Sequence, residues 1–356
     1  MTTPTPQPTT RERNQTAAGL AIGAGRPIRR LDDIAEWARV AEGAGFSLLS
    51  VGDSQTMWMD PYVAMTLAAE HTSTPKIGPM VTVPRTRHPS VSACAIGSIQ
   101  RLSHGRAYFA IGPGDSAIYN IGEQRVSMGE TERYALAVRD LCRGEEVTYE
   151  GKTFRLHWDV DPVPLWLAGD GPKMLELGGR IADGVVVGSG ATVELVEFAR
   201  KHISIGAESV GRTIDDVEVW YLVPTHVATS REEGIRQLRF YLASYAKVRF
   251  RYEMDKKGTK IDADLAGRLR GFQAEYDHTQ QFAVGGATAD ALLEKYDLTE
   301  WLAGQRLVTG TVDDIVGRLE ELYRAGVRNI MMPQMLPNVV ETTAALEPVV
   351  RAVTSL

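Results

Sequence analysis

The stretch LWLAGDGPKMLELGGRIADGVVV, residues 165–187, decides the fold class of this chain. It begins with a short apolar run, crosses a glycine-rich turn and continues as an amphipathic segment over residues 175–182. A second apolar run follows at 184–187. An apolar strand, a crossover helix and a second apolar strand form the βαβ unit of a parallel sheet whose strands are buried on both faces.

The same alternation continues along most of the chain. Apolar runs predict eight buried strands, at residues 17–22, 47–51, 77–83, 107–111, 165–168, 184–187, 217–227 and 329–332. Amphipathic spacing predicts helices between them, at residues 31–44, 175–182, 193–207 and 315–325. Eight such strands favour a closed (β/α)8 TIM barrel of the α/β class, with an open doubly wound sheet as the alternative.

Three segments do not fit the alternation. Residues 145–156, EEVTYEGKTFRL, predict a β-hairpin that turns at Glu150-Gly151. Residues 240–304 are long, charged and mixed, and predict an insertion of helices and loops over the barrel mouth. Residues 1–15 are rich in Thr and Pro and predict a disordered tail. Because a barrel takes about 250 residues, we expect one TIM-barrel domain over residues 16–356 with these additions.

Composition excludes several classes of protein. The net charge is −6, with 44% hydrophobic and 24% charged residues, as in a globular protein with no nucleic-acid partner. No apolar leader and no run of about 18 apolar residues occur, so we expect a soluble cytoplasmic protein with no membrane partner. Cys94 and Cys142 are expected to be buried, reduced thiols. Since HExxH and CxxC patterns are absent, we expect no metal site, and the absence of GxSxG gives no support to a serine nucleophile.

The loops after the strands are the candidate site, because a TIM barrel places its active site at the carboxyl ends of its strands. The paired glycines Gly112/Gly114 and Gly169/Gly171, with Lys173 beside the second pair, predict either backbone contacts to a phosphate or ordinary turns with helix caps.

Three further polar residues follow strand ends. Asp53 and Asp115 are either site carboxylates or helix N-caps. His88 precedes Pro89 and a helix, where it serves either as a polar strut or as a base.

The loop motifs resemble those of the bacterial luciferase-like superfamily, and within it the methylenetetrahydromethanopterin reductase branch. The motifs are TRHP at 86–89, SHGRA at 103–107, GPGD at 112–115, AGDGPKM at 168–174, GRIADG at 179–184, VTGT at 308–311 and RAGV at 324–327. The resemblance extends over nearly the whole chain.

This resemblance implies a TIM barrel that holds either coenzyme F420 or FMN. It implies a non-proline cis peptide bond at Met80–Val81 beneath the tricyclic ring. It also implies catalytic roles for Asp53 and Ser54, for Trp58 at the reacting face, and for Asp115. The implied cofactor-binding residues are Met80, Val81, Thr82, Gly112, Pro113, Gly114, Ser116, Ala168, Gly169, Asp170, Gly171, Lys173 and Gly188.

The implied function is an oxidoreductase that transfers hydride between coenzyme F420 and a small organic substrate. One alternative is an FMN-dependent monooxygenase served by a separate flavin reductase, and another is a flavin-binding protein without catalysis. The resemblance also implies a homodimer. Candidate substrate contacts are His88, Arg249, Tyr252 and His278.

Two positions depart from the family pattern. Ser54 stands where deazaflavin-dependent relatives usually have His after the aspartate that ends strand 2. Ala21 stands at the position matched to a glutamate on strand 1 of the methylenetetrahydropterin reductases. Because that glutamate would protonate a pterin nitrogen, we expect a substrate other than a pterin.

Overall fold

The computed structural model describes residues 19–188, 190, 192–249, 261–276 and 287–356. The tail expected over residues 1–15 lies outside the described residues.

Eight parallel strands form a closed barrel, in the order β3-β2-β1-β12-β9-β8-β7-β4. Isolated bridges from Ile77 to Ala107 and from Thr82 to Ile111 join the remaining two edges. The TIM barrel is therefore confirmed. The strands are β1 (Ala21–Arg26), β2 (Leu48–Val51), β3 (Lys76–Pro79), β4 (Phe109–Ile111), β5 (Val147–Tyr149), β6 (Lys152–Phe154), β7 (Leu165–Ala168), β8 (Gly184–Val187), β9 (Glu218–Leu222), β10 (Thr225–Val227), β11 (Val308–Gly310) and β12 (Asn329–Pro333).

Helices surround the barrel and bury the outer faces of its strands. The helices are α1 (Ile34–Gly43), α2 (Pro61–Glu70), α3 (Pro89–Leu102), α4 (Ser116–Tyr119), α5 (Met128–Leu141), α6 (Pro172–Ile181), α7 (Val193–Glu208), α8 (Arg231–Arg249), α9 (Ala263–Glu275), α10 (Ala287–Lys295), α11 (Thr299–Arg306), α12 (Val312–Arg324), α13 (Val339–Ala345) and α14 (Glu347–Val353). Within the described ranges, none of these helices has the length and apolar content needed to cross a bilayer.

Aromatic and charged side chains fill the amino-terminal end of the barrel interior. Tyr108 stacks on Trp166 with ring centroids 4.1 Å apart, and Trp166 stacks on Trp220 at 5.9 Å. Lys76 and Glu218, the first residues of β3 and β9, form an ion pair at 2.6 Å. These contacts occupy the amino end, so open space for a ligand is left at the carboxyl end.

The predicted strands differ from the observed ones at three places. The first strand is shifted from residues 17–22 to Ala21–Arg26, and the third ends at Pro79 rather than at residue 83. The run at 217–227 divides into β9, which belongs to the barrel, and β10, which pairs with β11 outside it. Pro224 lies between them and has no N–H to donate to a sheet, which explains the break.

The insertion predicted at 240–304 consists of helices in the residues that the structure describes. Helix α8 begins earlier than predicted, at Arg231, and α8 to α11 form a hydrophobic cluster of their own. Tyr241 donates a hydrogen bond to the carbonyl of Pro333 at 2.8 Å, and Arg306 donates to the carbonyl of Gly188. Both acceptors follow or end barrel strands at their carboxyl ends, so the described part of this helical layer contacts the barrel at its mouth.

The hairpin at residues 145–156 is confirmed as β5 and β6. It turns at Glu150 and Gly151, which have φ values of 49° and 75°.

The expectation for the cysteines is half wrong. Cys142 is buried, and burial raises the pKa of its thiol to about 12. Cys94 is exposed, because it lies on the solvent side of α3.

Candidate active site

A cavity of about 330 Å³ opens at the carboxyl ends of the barrel strands. Its walls come from the loops and strand ends of β2, β3, β4, β7, β8 and β9. The lining residues are Asp53, Trp58, Met80, Val81, Val83, Gly112, Pro113, Gly114, Asp115, Ser116, Ala117, Arg125, Ala168, Gly169, Asp170, Val186, Gly188 and Leu222. Most of the loop residues predicted from the sequence therefore meet in one place.

Asp53 is the buried carboxylate of this cavity, with a side chain that is 1% exposed. Its Oδ2 accepts hydrogen bonds from Thr82 Oγ1 and Arg87 Nη1, each at 2.6 Å. Its Oδ1 is buried and has no hydrogen-bond partner among the described residues. Asp53 therefore lines the cavity and is the N-cap of none of the described helices, and one of its oxygens has no partner among the described residues.

Arg87 holds the outer side of this carboxylate. Its guanidinium also pairs with Asp60, the N-cap of α2, at 3.1 Å and lies over the ring of Tyr62. Burial lowers the pKa of Arg87. The charge of Asp53 and its hydrogen bond with Arg87 raise this pKa by more than burial lowers it, so the pKa lies above its usual value. Arg87 belongs to the TRHP motif, but nothing in the sequence indicates its pairing with Asp53.

Ser54 and Ser116 connect the loops after β2 and β4, with their hydroxyl oxygens 3.0 Å apart. Ser116 lines the cavity, whereas Ser54 lies behind it. Asp115 also lines the cavity and occupies the N-cap position of α4, where its side chain makes no capping hydrogen bond.

The peptide bond between Met80 and Val81 is cis, as the resemblance implied. Both residues line the cavity, while the next residue, Thr82, is buried against Asp53 and does not. A Cβ atom placed on Gly112 would lie 3.2 Å from Cγ2 of Val81, so glycine leaves the wall open opposite this bond.

The loop after β7 contributes only its first part to the cavity. Ala168, Gly169 and Asp170 line the cavity, and Asp170 Oδ1 accepts a hydrogen bond from the N–H of Gly188 at 2.7 Å. Gly171 is the N-cap of α6 and Lys173 is exposed, and neither lines the cavity. The lysine predicted beside the glycine pair is therefore not part of the cavity wall.

Five lining residues are not among the predicted site residues: Val83, Ala117, Arg125, Val186 and Leu222. Val186 and Leu222 lie near the carboxyl ends of β8 and β9 and belong to or pack on the interior cluster of the barrel. Side chains alternate between the two faces of a strand. Selecting every second residue from the carboxyl end of each strand would therefore have identified these two residues. Arg125 is an exposed cation in a loop without periodicity, so no such signal marked it.

His88 is the one candidate substrate residue whose side chain the structure describes, and it does not line the cavity. His88 is the N-cap of α3, where Nδ1 accepts a hydrogen bond from the N–H of Ser90, and its ring packs against Tyr149 and Phe154. These contacts are those of a polar strut, the first of the two roles considered for His88. Tyr252 and His278 lie outside the described residues, as does the side chain of Arg249.

Strand β1 holds the position that the resemblance matches to a glutamate. Ala21 is the first residue of β1, at the amino end of the barrel, and does not line the cavity. Gly23 and Gly25 are the positions nearer the mouth where a Cβ would meet Met331 of the interior cluster. Strand β1 therefore offers no carboxyl group to the interior at any of these positions.

The chemistry of the cavity follows from these walls. Met80, Val81, Val186 and Leu222 present apolar surface, and Asp53 adds one buried acceptor. A concave, largely apolar site with few fixed polar groups suits a flat organic ring with an N–H edge. Within the described ranges, no group of three or more His, Cys, Asp or Glu side chains is arranged to hold a metal ion.

Sequence comparison identifies named relatives of this chain. The 5,10-methylenetetrahydromethanopterin reductase of Methanolobus tindarius is 29% identical over 312 residues, 84% of this chain and 89% of that protein. The F420-dependent glucose-6-phosphate dehydrogenase of Nakamurella multipartita is 28% identical over 231 residues, 59% of this chain and 68% of that protein.

A solved structure shares the fold. The coenzyme F420 dependent tetrahydromethanopterin reductase from Methanopyrus kandleri superposes with a TM-score of 0.71 at 24% identity, covering 93% of this chain and 98% of that one. The family model described as luciferase-like monooxygenase matches residues 6–329. The chain belongs to the luciferase-like monooxygenase family.

Proposed function

We propose that the cavity binds the tricyclic ring of coenzyme F420 and that the chain transfers hydride between this coenzyme and a small organic substrate. The observation that carries the proposal is the unpartnered Oδ1 of Asp53 in a largely apolar cavity at the barrel mouth. As a member of its family, the chain is an oxidoreductase that uses a flavin or deazaflavin. The F420 dependence in the name of the Nakamurella multipartita relative supports the choice of coenzyme.

The residues present fit such a ring. Asp53 would accept a hydrogen bond from an N–H on its pyrimidine edge, which satisfies an oxygen that otherwise stays buried without a partner. Met80 and Val81 would support one face of the ring. The loop from Gly112 to Ser116 and residues 168–170 would hold the polyol and phosphate end.

A bound deazaflavin supplies the ring carbon that gives or accepts the hydride. The chain orients the ring and substrate and excludes water from between them. Trp58 lies at the cavity wall and packs against both the main core and the helical layer, so it would limit the space left for substrate.

We propose further that the substrate is not a pterin. Support comes from β1, where Ala21, Gly23 and Gly25 carry no acid that would protonate a pterin nitrogen. Assaying reduced coenzyme F420 with methylenetetrahydromethanopterin tests this point, and rapid turnover would refute it.

A second candidate is an FMN-dependent monooxygenase that receives reduced flavin from a separate reductase. Ser54 favours it, because a serine hydroxyl paired with Ser116 replaces the imidazole usual in deazaflavin-dependent relatives. Oxygen would then be a co-substrate.

Titration of the purified chain with coenzyme F420 and with FMN, followed by fluorescence, separates these functions. We expect F420 to bind with a dissociation constant below about 100 µM. Ala168→Phe fills the cavity and should weaken binding by about tenfold or more. Gly317→Ala, in open space on α12, is the matched control.

Each other outcome points to a different function. Binding of FMN alone, with rapid reoxidation by oxygen, favours the monooxygenase. Tight binding without reoxidation by oxygen or by organic acceptors favours a flavin-binding protein. If neither coenzyme binds, the site assignment is wrong.

A further inference from the structure

Gly52 and Trp58 are in unusually close contact at the carboxyl end of β2. A Cβ atom placed on Gly52 would lie 2.2 Å from Cζ3 and 2.6 Å from Cε3 of the Trp58 indole, whereas ordinary contacts are 3.4–4 Å. The six-membered ring of the indole therefore lies directly against the Gly52 backbone. Any side chain at position 52 would displace it.

The alternation of side chains along β2 shows where a side chain at position 52 would point. Leu48 belongs to the interior cluster of the barrel, and Ser50 Oγ lies 3.6 Å from Sδ of the interior Met331. Residues two apart on a strand point to the same face. Gly52 is the next such position, so the indole of Trp58 takes the place of an inward side chain at the top of the barrel.

Trp58 is held on its other sides. Its backbone N–H donates to the carbonyl of Ser54 at 2.9 Å, and the backbone N–H of the next residue, Met59, donates to the carbonyl of Ile28 at 2.9 Å. The ring packs against the main core and against the core of the helical layer, and it also lines the cavity. Since packed cores yield little, the cavity is the open side toward which a displaced ring would move.

We propose that Gly52 is a positioning residue for Trp58. Because Gly52 has no side chain, the indole can lie against its backbone, and this position of the indole sets the width of the cavity for coenzyme and substrate. The effect on ligands rests on the proposed function, whereas the effect on the ring does not. Gly52→Ala moves the indole into the cavity by more than 1 Å, because the contact must open from 2.2 Å to at least 3.4 Å.

A crystal structure of Gly52→Ala without coenzyme tests the ring position. The affinity for coenzyme F420 and for FMN is measured alongside in the wild type, Gly52→Ala, Trp58→Phe and the double variant. Gly52→Ala should weaken binding by about tenfold, and the double variant should bind within about threefold of Trp58→Phe alone, because a phenyl ring lacks the indole Cζ3 and Cε3 atoms that lie nearest to the added methyl. Gly317→Ala should bind like the wild type.

The remaining outcomes also decide the matter. An indole that stays in place in Gly52→Ala, or affinity losses that multiply in the double variant, would overturn the proposal. If Gly52→Ala does not fold, recovery of folding by Trp58→Phe supports the contact and failure to recover contradicts it. A wild type that binds neither coenzyme refutes the proposed function, while the ring position in Gly52→Ala still decides the role of Gly52.

Discussion

Arg87 Nη1 lies 2.6 Å from Oδ2 of Asp53 and is the cationic partner of that buried carboxylate among the described residues. The pair joins the loop after β3 to the loop after β2, although the two residues are 34 positions apart. With Oδ2 fixed by Arg87 and Thr82, the carboxylate is oriented and Oδ1 is left for a ligand.

Removing the guanidinium should therefore destabilise the fold. Arg87→Met leaves the Asp53 carboxylate buried without its partner, which costs about 3 kcal/mol of the free energy of unfolding. Urea denaturation measures this loss. The double variant with Asp53→Asn should lose less than the two single variants together, and strictly additive losses would show that the two side chains are not coupled.

The contact between α6 and α7 gives a prediction about packing. A Cβ atom on Gly206 of α7 would lie 1.8 Å from the carbonyl oxygen of Glu176 on α6. Gly206→Ala must separate the helices and should lower the free energy of unfolding by about 2 kcal/mol. Gly317→Ala meets no atom within 4 Å and should instead raise it by about 0.5–1 kcal/mol. Equal effects of the two variants on thermal melting would refute the close contact.

Glu42, at the end of α1, fixes the turn that precedes β3. Its Oε1 accepts from the backbone N–H groups of Ser73 and Thr74 at 2.9 and 2.7 Å and from both hydroxyl groups. Glu42→Ala should cost about 1–2 kcal/mol in urea denaturation. Glu36→Ala, at an exposed position on the same helix, should change stability by less than about 0.5 kcal/mol. If Glu42→Ala lowers the free energy of unfolding no more than Glu36→Ala does, Glu42 does not stabilise the turn.

His226 on β10 predicts a pH dependence of stability. Burial lowers its pKa below the usual 6.5, against the opposing effect of the hydrogen bond that Nε2–H of His226 donates to Oε1 of Gln237. The unfolded chain then binds a proton more readily than the folded chain, so this contribution to stability is present above about pH 6.5 and declines as the pH falls below it. Between pH 7 and 5, the His226→Gln variant should lose less stability than the wild type in denaturant titrations. If both proteins lose the same stability between pH 7 and 5, His226 is not the cause of the pH dependence.

Much of the fold was predictable because the signal was local. The strand–helix–strand pattern of residues 165–187 recurs as β7, α6 and β8, and the turn at Glu150-Gly151 is where the sequence places it. The strand boundaries were less predictable. Pro224 interrupts an apolar run that periodicity alone reads as continuous.

The candidate site was predictable only in part. The rule that barrel sites lie at carboxyl strand ends selected Asp53, Asp115 and the Gly112 loop, all of which line one cavity. The pairing of Arg87 with Asp53 depends on how two loops meet, and the contact of Gly52 with Trp58 depends on the direction of a side chain that is absent. Neither leaves a periodic trace in the sequence.

A crystal structure of the chain grown with coenzyme F420, and a second grown with FMN, tests the central claim most directly. We predict that the tricyclic ring of one coenzyme lies between Val81 and Trp58 and that Oδ1 of Asp53 is within about 3.2 Å of a ring N–H. A ring bound elsewhere, or an Asp53 Oδ1 that remains without a partner in the occupied cavity, would contradict the account.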